Sequence, residues 1–287
     1  TDAESNGLLG GPLSHQMLLQ WLSEIGADEA VSDTAVNRFH RSKLSGFVSN
    51  LGAGREEVLK VGAEKAVLSA KADIVAADRG SSSALQGSSL SKVSTLGQLR
   101  ELVDNFEQCA LKRTATKTVF SDGNSKADVM LVGEAPGAEE DKAGVPFVGA
   151  AGQLLDRMLA SIELDRSSVY ITNLLFWRPP GNRNPTDEEI AQCLPFVERH
   201  VELVKPLLLV LVGGIAAKTL LRRSEGITKL RGQWYEYGSV DTDTAITTTC
   251  IFHPAFLLRQ PKNKRTAWHD LMAIRERLTR LRESRSG

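Results

Sequence analysis

The chain has 287 residues, 41% of them hydrophobic, which is enough to bury the core of one large domain. Lysine plus arginine and aspartate plus glutamate number 35 each, so the overall charge does not by itself indicate a polyanionic partner. Cys109, Cys193 and Cys250 lie far apart without a CxxC pair, and no signal peptide or membrane-spanning apolar run is apparent. This pattern argues against a secreted disulfide framework, and we expect a cytoplasmic protein with no membrane partner.

Residues 1–95 differ in composition from the rest of the chain. Residues 17–22 form a candidate amphipathic helix, and residues 63–94 are rich in alanine and serine. Such a segment buries little apolar area for each residue that it orders, so we interpret it as a linker or a weakly ordered segment. We therefore expect an N-terminal extension over residues 1–95 and the main domain over residues 96–287.

Strand-like and helix-like segments alternate from residue 95 onward. The apolar spacing predicts helices over 96–111, 149–162, 186–204, 215–221 and 264–282, and strands over 129–132, 169–175, 207–212 and 248–252. Thr186 to Glu189 predicts a capping box at the start of the third helix. Because the strands are apolar throughout rather than alternating, the sequence predicts an α/β fold, a three-layer α/β/α sandwich around a mainly parallel four-stranded sheet.

Polar or glycine-rich residues follow each predicted strand. They are GEAPG at 133–137, Asn173, the pair Gly213-Gly214, and His253. Ligands of open parallel sheets bind at the carboxyl ends of the strands, so one crevice could collect Glu134, Asn173 and His253. The alternative is structural, because glycine turns commonly follow strands and a lone histidine is more often part of the core.

Five blocks carry a resemblance to a known family. They are GEAPG at 133–137, EDKAGVPFVGAAGQLLD at 140–156, YITN at 170–173, RPPGNR at 178–183 and HPAFLLR at 253–259. In this order and spacing, the chain from about residue 103 to 278 resembles family 4 of the uracil-DNA glycosylase superfamily. The resemblance implies that residues 96–287 form a catalytic domain that flips uracil out of DNA and hydrolyses its bond to the sugar, leaving an abasic site.

The resemblance also implies roles for individual side chains. Phe147 matches the aromatic platform on which the flipped base stacks. Asn173 matches the base reader, since its amide complements N3–H and O4 of uracil and mismatches cytosine. His253 matches the histidine that stabilises negative charge on the departing base. Among the acidic residues, Glu140 is the candidate for orienting water or stabilising the cationic sugar, although an acidic run is equally typical of a solvated turn. Three more residues match the lining of the pocket, namely Gly133, Glu134 and Ala135.

The last block predicts the contact with DNA. Leu257 matches the position at which the superfamily inserts a side chain into the base stack, and Leu258 is the second candidate. Six cations are candidates for phosphate contacts, namely Arg178, Arg183, Arg259, Lys262, Lys264 and Arg265. Residues 259–287 hold nine lysines and arginines against three acidic residues, which fits this role but also fits a solvated helix face.

The sequence departs from the family at the iron–sulfur cluster. Members of family 4 resemble iron–sulfur proteins that hold a four-iron cluster with four cysteines. Cys109 matches the first of these cysteines, and Cys193 matches the fourth. Lys112 and Trp177 stand at the second and third positions, and neither replaces a thiolate. We therefore expect no cluster and no other cofactor, with Trp177 filling the volume that the cluster would occupy.

Other functions remain open at this point. A non-catalytic protein that binds uracil or abasic DNA would share the pocket residues, and a glycosylase for other deaminated bases is a further alternative. Residues 149–152 hold neither histidine nor arginine, so covalent trapping of DNA is not expected. A nucleotide-binding enzyme ranks last, because GEAPG matches neither GxGxxG nor a P-loop. The expected partners are uracil-containing DNA and the product uracil, bound by a monomer.

Overall fold

The computed structural model describes residues 90–238 and 245–286. The helix predicted over residues 17–22 and most of the alanine- and serine-rich segment lie outside the described residues. The proposed boundary near residue 95 therefore stays a prediction.

The described residues build one six-stranded sheet. Its strands are β1 (Asp122–Gly123), β2 (Val129–Gly133), β3 (Val169–Asn173), β4 (Leu208–Val212), β5 (Trp234–Tyr237) and β6 (Ile246–Ile251). Their order is β1-β3-β2-β4-β6-β5, in which the four inner strands are parallel and the two edge strands are antiparallel. The predicted α/β class and the parallel four-stranded core are confirmed, and the two edge strands are additions to the prediction.

Eight α-helices connect these strands in the described part of the chain. They are α1 (Leu96–Asp104), α2 (Ala138–Ala143), α3 (Ala150–Ala160), α4 (Asp187–Val204), α5 (Gly214–Leu221), α6 (Ile227–Leu230), α7 (Pro254–Arg259) and α8 (Lys264–Ser286). Helix α1 ends well before the predicted residue 111, because Asn105 caps it by donating to the carbonyl of Glu101. The capping box predicted at Thr186 and Glu189 is present at the start of α4.

Helices cover both faces of the sheet. Met130 and Val132 of β2 point into a core that also holds α1, α4 and α5. Val129 and Leu131 point into a second core that α3 and α8 complete. All residues of the four parallel strands except Ile246 are buried, as expected for a parallel sheet that is covered on both faces. No helix within residues 90–238 and 245–286 is long and apolar enough to cross a membrane.

Candidate active site

A cavity of about 590 Å³ lies where the four parallel strands end. Its lining comes from the residues that follow β2, β3, β4 and β6, together with the start of α3 and the loop over residues 179–184. Glu134, Asn173 and His253 all line it, so the crevice predicted from the carboxyl ends of the strands is present. This position is the one that the topology of an open parallel sheet favours for ligands.

Phe147, Asn173 and His253 meet around this cavity. A Cβ at Gly133 would lie 2.3 Å from Asn173 Oδ1 and 2.6 Å from Phe147 Cζ, so only glycine leaves room for the ring and the amide to come this close. The ring of Phe147 faces that of His253, with centroids 5.6 Å apart and planes inclined by 29°. The structure therefore brings together an aromatic face, an amide and an imidazole from three separate blocks of the sequence.

Burial determines the charge of His253, and one hydrogen bond determines which ring nitrogen carries the proton. The pKa of the imidazole is lowered to about 4, chiefly by burial and to a smaller extent by the positive charge of Arg259, while Glu140 opposes the shift. The backbone N–H of Ala255 donates to Nδ1 over 3.1 Å. A neutral imidazole that accepts at Nδ1 must carry its proton on Nε2. His253 is therefore a neutral hydrogen-bond donor at physiological pH.

Asn173 has an unmet hydrogen-bonding requirement. Its side chain is 1% exposed, and its Oδ1 has no hydrogen-bond partner among the described residues. A buried carbonyl oxygen without a donor costs roughly 1–3 kcal/mol. The cavity is therefore prepared for a ligand that offers an N–H group to Asn173.

Two carboxylates line the cavity in different environments. Burial raises the pKa of Glu134 above its ordinary value. Glu140 accepts three backbone N–H groups instead, with Oε2 bound to Gly137 at 3.1 Å and Oε1 bound to Val148 at 2.9 Å and Gly149 at 2.8 Å. Glu140 thus connects the loop after β2 to the loop before α3, and Oε2 keeps a lone pair for one further donor.

The segment predicted to contact DNA has a buried side and an exposed side. Leu257 is 1% exposed and packs in the core between the sheet, α3 and α8, whereas Leu258 is 44% exposed. Leu257 is therefore held away from the surface, and Leu258, the second candidate, is the leucine that faces solvent. Arg259 lines the cavity, and Lys262 and Arg265 are exposed on the chain that follows it.

Three of the other cations that were predicted to contact phosphates are buried or bound to neighbouring side chains. Lys264 is 5% exposed, so its position disagrees with the prediction that it lies on a phosphate-facing surface. Arg183 lines the cavity but forms a two-pronged ion pair with Glu189, with distances of 2.9 and 2.6 Å. Arg178 donates to Asn182 Oδ1 at 2.7 Å.

Several lining residues were not predicted from the sequence. Asn182 and Asn184 flank Arg183 in the loop, so their place in the RPPGNR block and just after it was an available signal. Ile227 and Phe256 also line the cavity, and they come from α6 and α7, two short helices that the apolar spacing did not reveal.

A second cluster, the thiol region, consists of Cys109, Lys112, Trp177 and Cys193 and lies on the α1/α4 side of the sheet. Cys109 and Cys193 are fully buried and hydrogen-bonded to each other, and this bond together with burial raises the pKa of Cys193, which keeps its proton. Trp177 is also fully buried, stacks on Phe106 with centroids 6.3 Å apart, and donates from Nε1 to Thr118 Oγ1 at 3.3 Å.

Lys112 takes part in different contacts. Its Nζ donates to the carbonyl of Asp104 at 2.6 Å and pairs with Glu107 at 2.5 Å, so its side chain reaches toward the end of α1. In the described part of the chain, no group of three or more histidine, cysteine or acidic side chains is arranged to hold a metal ion. With two thiols, a buried indole and a paired ammonium, the thiol region does not fit a cluster that needs four thiolates.

The geometry agrees with comparisons to known proteins. Residues 120–272 match the Uracil DNA glycosylase superfamily. A Type-4 uracil-DNA glycosylase of Pyrobaculum aerophilum is 41% identical over 172 residues, covering 58% of this chain and 86% of the relative. Similar proteins of the same name occur in Sulfurisphaera tokodaii, at 37% identity over 63% of this chain and 84% of the relative, and in Archaeoglobus fulgidus, at 40% over 62% and 90%.

Proposed function

This chain belongs to the uracil-DNA glycosylase superfamily, and on that premise we propose how its pocket removes uracil from DNA. The chain is a uracil-DNA glycosylase, an enzyme of DNA repair that hydrolyses the N-glycosidic bond of uracil. The observation that carries the proposed mechanism is the meeting of Phe147, Asn173 and His253 around one cavity. The base must leave the duplex to enter this cavity.

Asn173 reads the base. Uracil offers N3–H to the partnerless Oδ1 and accepts at O4 from the amide nitrogen, so it satisfies the buried amide. Cytosine presents an acceptor at N3 and a donor at N4, which would leave the same groups unpaired in a buried site. Mismatches of this kind are rejected strongly, because each unpaired buried group costs free energy. The ring of Phe147 supplies the stacking surface beneath the base.

His253 stabilises the leaving group. As the glycosidic bond breaks, negative charge gathers on the uracil ring, chiefly at O2. The neutral imidazole with its proton on Nε2 donates a hydrogen bond there, and the bond strengthens as the charge develops. The Ala255 N–H bond holds the ring in this orientation, so little reorganisation is needed during the reaction.

Glu140 is the candidate for orienting water. Three backbone N–H groups hold its carboxylate in place, and the free lone pair of Oε2 is available to accept from a water. The same carboxylate can stabilise the positive charge that develops on the sugar. Glu134 also lines the pocket, where burial raises the pKa of its carboxyl group.

The surface beside the cavity contacts DNA. Leu258 is the only large hydrophobic side chain exposed among the described residues, and it lies one residue before Arg259 of the cavity lining. We assign to Leu258, rather than to the buried Leu257, the insertion into the base stack. Arg259, Lys262 and Arg265 then face the phosphates on either side of the flipped nucleotide.

The enzyme works without an iron–sulfur cluster. Trp177 occupies apolar volume between Phe106 and the chain at Thr118, and this packing replaces the cross-link that a cluster would provide. Asp141 of α2 adds a second connection, since it accepts from the backbone N–H groups of Thr116 and Lys117 and from the Thr116 hydroxyl. The 109–119 segment is thereby attached to the helix that also carries Glu140.

The chain acts as a monomer in the cytoplasm and releases free uracil. The three cysteines are buried and unpaired, and thiols in this state persist in a reducing compartment. All the residues assigned to base recognition lie in this chain, which supports the proposal of a monomer.

The test is release of uracil from a labelled oligonucleotide. We expect the wild-type protein to release it, and we expect Asn173→Ala and His253→Ala to lower the single-turnover rate by about a hundredfold or more. Glu140→Ala should also lose most activity. A cytosine-containing oligonucleotide serves as the substrate control.

The outcomes separate the parts of the proposal. If the wild type binds the oligonucleotide but releases no uracil, the protein is a binder and the enzymatic proposal is wrong. If Glu140→Ala alone keeps full activity, the water-orienting role is wrong while base recognition by Asn173 stands.

A further inference from the structure

Phe147 has an unusual backbone conformation. Its φ is 55°, in the left-handed region that side chains with a Cβ rarely adopt. Such a conformation persists only where the surrounding structure holds it, and residues of this kind concentrate at functional sites. The contacts that hold Phe147 in place therefore bear directly on the position of its ring.

Helix α3 packs against the backbone of Phe147. A Cβ at Gly152 would lie 1.7 Å from the carbonyl oxygen of Phe147, so α3 can approach this closely only with glycine at that position. The next two residues, Val148 and Gly149, donate their N–H groups to Glu140. These contacts fix the chain on the carboxyl side of the ring.

Arg166 holds the chain at Phe147 itself and at the residue before it. Its Nη2 donates to the carbonyl of Phe147 and its Nη1 donates to the carbonyl of Pro146 at 3.2 Å. The guanidinium is itself held by Asp122 of β1, at 2.6 Å from Nη1, and by Asp156 of α3, at 2.8 Å from Nε. One half-buried side chain thus connects the edge strand, helix α3 and the loop that carries the pocket ring.

We infer that Arg166 is a positioning residue for uracil excision, which acts by holding Phe147 in the conformation that places its ring against Gly133 and Asn173. The inference rests on the proposed role of Phe147 as the stacking surface. Arg166 does not line the cavity, so its effect passes through the backbone of Phe147 rather than through contact with the base. A planar guanidinium suits this task, because it can donate to two carbonyls and two carboxylates at once.

The experiment compares single-turnover uracil release and DNA affinity for Arg166→Ala, Arg166→Lys and the wild type. We expect Arg166→Ala to slow release about 10- to 100-fold, as small misplacements of a substrate-contacting group do. Affinity for a duplex without uracil should not change, because phosphate contacts lie elsewhere. Arg166→Lys should fall between the two, since an ammonium cannot make all four contacts.

Arg199→Ala is the matched control. Arg199 also binds a backbone carbonyl, that of Val93, and a carboxylate, that of Glu202, and its side chain is 24% exposed against 27% for Arg166. It lies on α4, away from the cavity. Arg199→Ala should therefore release uracil at the wild-type rate, with circular dichroism used to compare the folding of all variants.

A double variant separates positioning from general stabilisation. If Arg166 acts through Phe147, then Arg166→Ala combined with Phe147→Ala should be no slower than Phe147→Ala alone. Two independent losses that multiply, or wild-type release by Arg166→Ala, would overturn the inference. If the wild type itself releases no uracil, the proposed function is wrong instead, so the two failures are distinguishable.

Discussion

The base pocket and the thiol region lie on the same scaffold but are built from different kinds of side chain and different contacts. The pocket has Phe147, Asn173 and His253 at the expected positions, and each presents a group that the chemistry needs. The thiol region holds two buried thiols, Cys109 and Cys193, with Lys112 turned toward the end of α1 and Trp177 buried. Catalysis depends on which side chains line the pocket. The thiol region stabilises the fold by packing, which different side chains of suitable size can provide.

The two regions are also stabilised differently. Glu140 and Arg166 hold the pocket loops through hydrogen bonds to backbone groups. The thiol region is held mainly by apolar contacts, in which Trp177 packs on Phe106 and Phe176. Directional bonds fix positions closely, and apolar packing contributes more stability than positional accuracy. Variants in the two regions should therefore change different measured quantities.

The largest expected effect is on stability, from Trp177→Ala. Removing this fully buried indole should lower the free energy of unfolding by about 3–5 kcal/mol, because it leaves a cavity in the core. At temperatures where the variant remains folded, the rate of uracil release should change far less. Urea denaturation and single-turnover assays on the same sample measure the two effects.

Trp234→Ala is the matched control, since Trp234 is only half-buried on edge strand β5 and should cost less stability. Loss of catalysis in a Trp177→Ala sample that is still fully folded would contradict the division between the two regions. It would mean that the thiol region controls the pocket directly.

A smaller effect is expected on the rate of uracil release at low pH. The pKa of His253 is lowered from 6.5 to about 4, so the imidazole should stay neutral from physiological pH down to about pH 5. The rate of uracil release should fall as the pH drops through about 4, because protonation removes the acceptor that holds Nδ1 on Ala255. His253→Gln, whose side chain donates without titrating, should be slower but should lack this acid step in its pH profile of single-turnover rates.

The stability of the folded protein should also depend on the protonation of His253. Between the lowered pKa and the ordinary value, the unfolded chain binds the proton and the folded chain does not. The contribution of a neutral His253 to stability is therefore complete above pH 6.5 and is lost as the pH falls toward 4. If the rate of uracil release by His253→Gln also fell as the pH dropped through about 4, a group other than His253 would be responsible.

The fold could be predicted where burial leaves a clear pattern. The four parallel strands are almost entirely buried, β2 and β4 contain no polar side chain, and the Thr186 capping box marks the start of α4. Strand β1 consists only of Asp122 and Gly123, two residue types that are common in turns, so nothing in its sequence distinguishes it from a turn. Strand β5 pairs as an antiparallel edge with most of its residues half-buried or exposed, and it lacks the apolar run by which the inner strands were found.

The sequence predicted those parts of the site whose chemistry depends only on which residue is present. Which of two adjacent leucines is exposed depends on the rotation of α7, and the sequence alone favoured Leu257, which is buried. Lys264 is likewise buried by tertiary packing. Arg166 was missed because its importance comes from four contacts with segments distant in sequence, and no local pattern reports those.

The most direct test of the account measures released uracil and bound iron in one purified sample. The account predicts that uracil is released from a labelled oligonucleotide by protein that contains no iron and is colourless in the visible range. A brown protein with about four irons per chain, or one that releases uracil only after iron and sulfide are added, would contradict it.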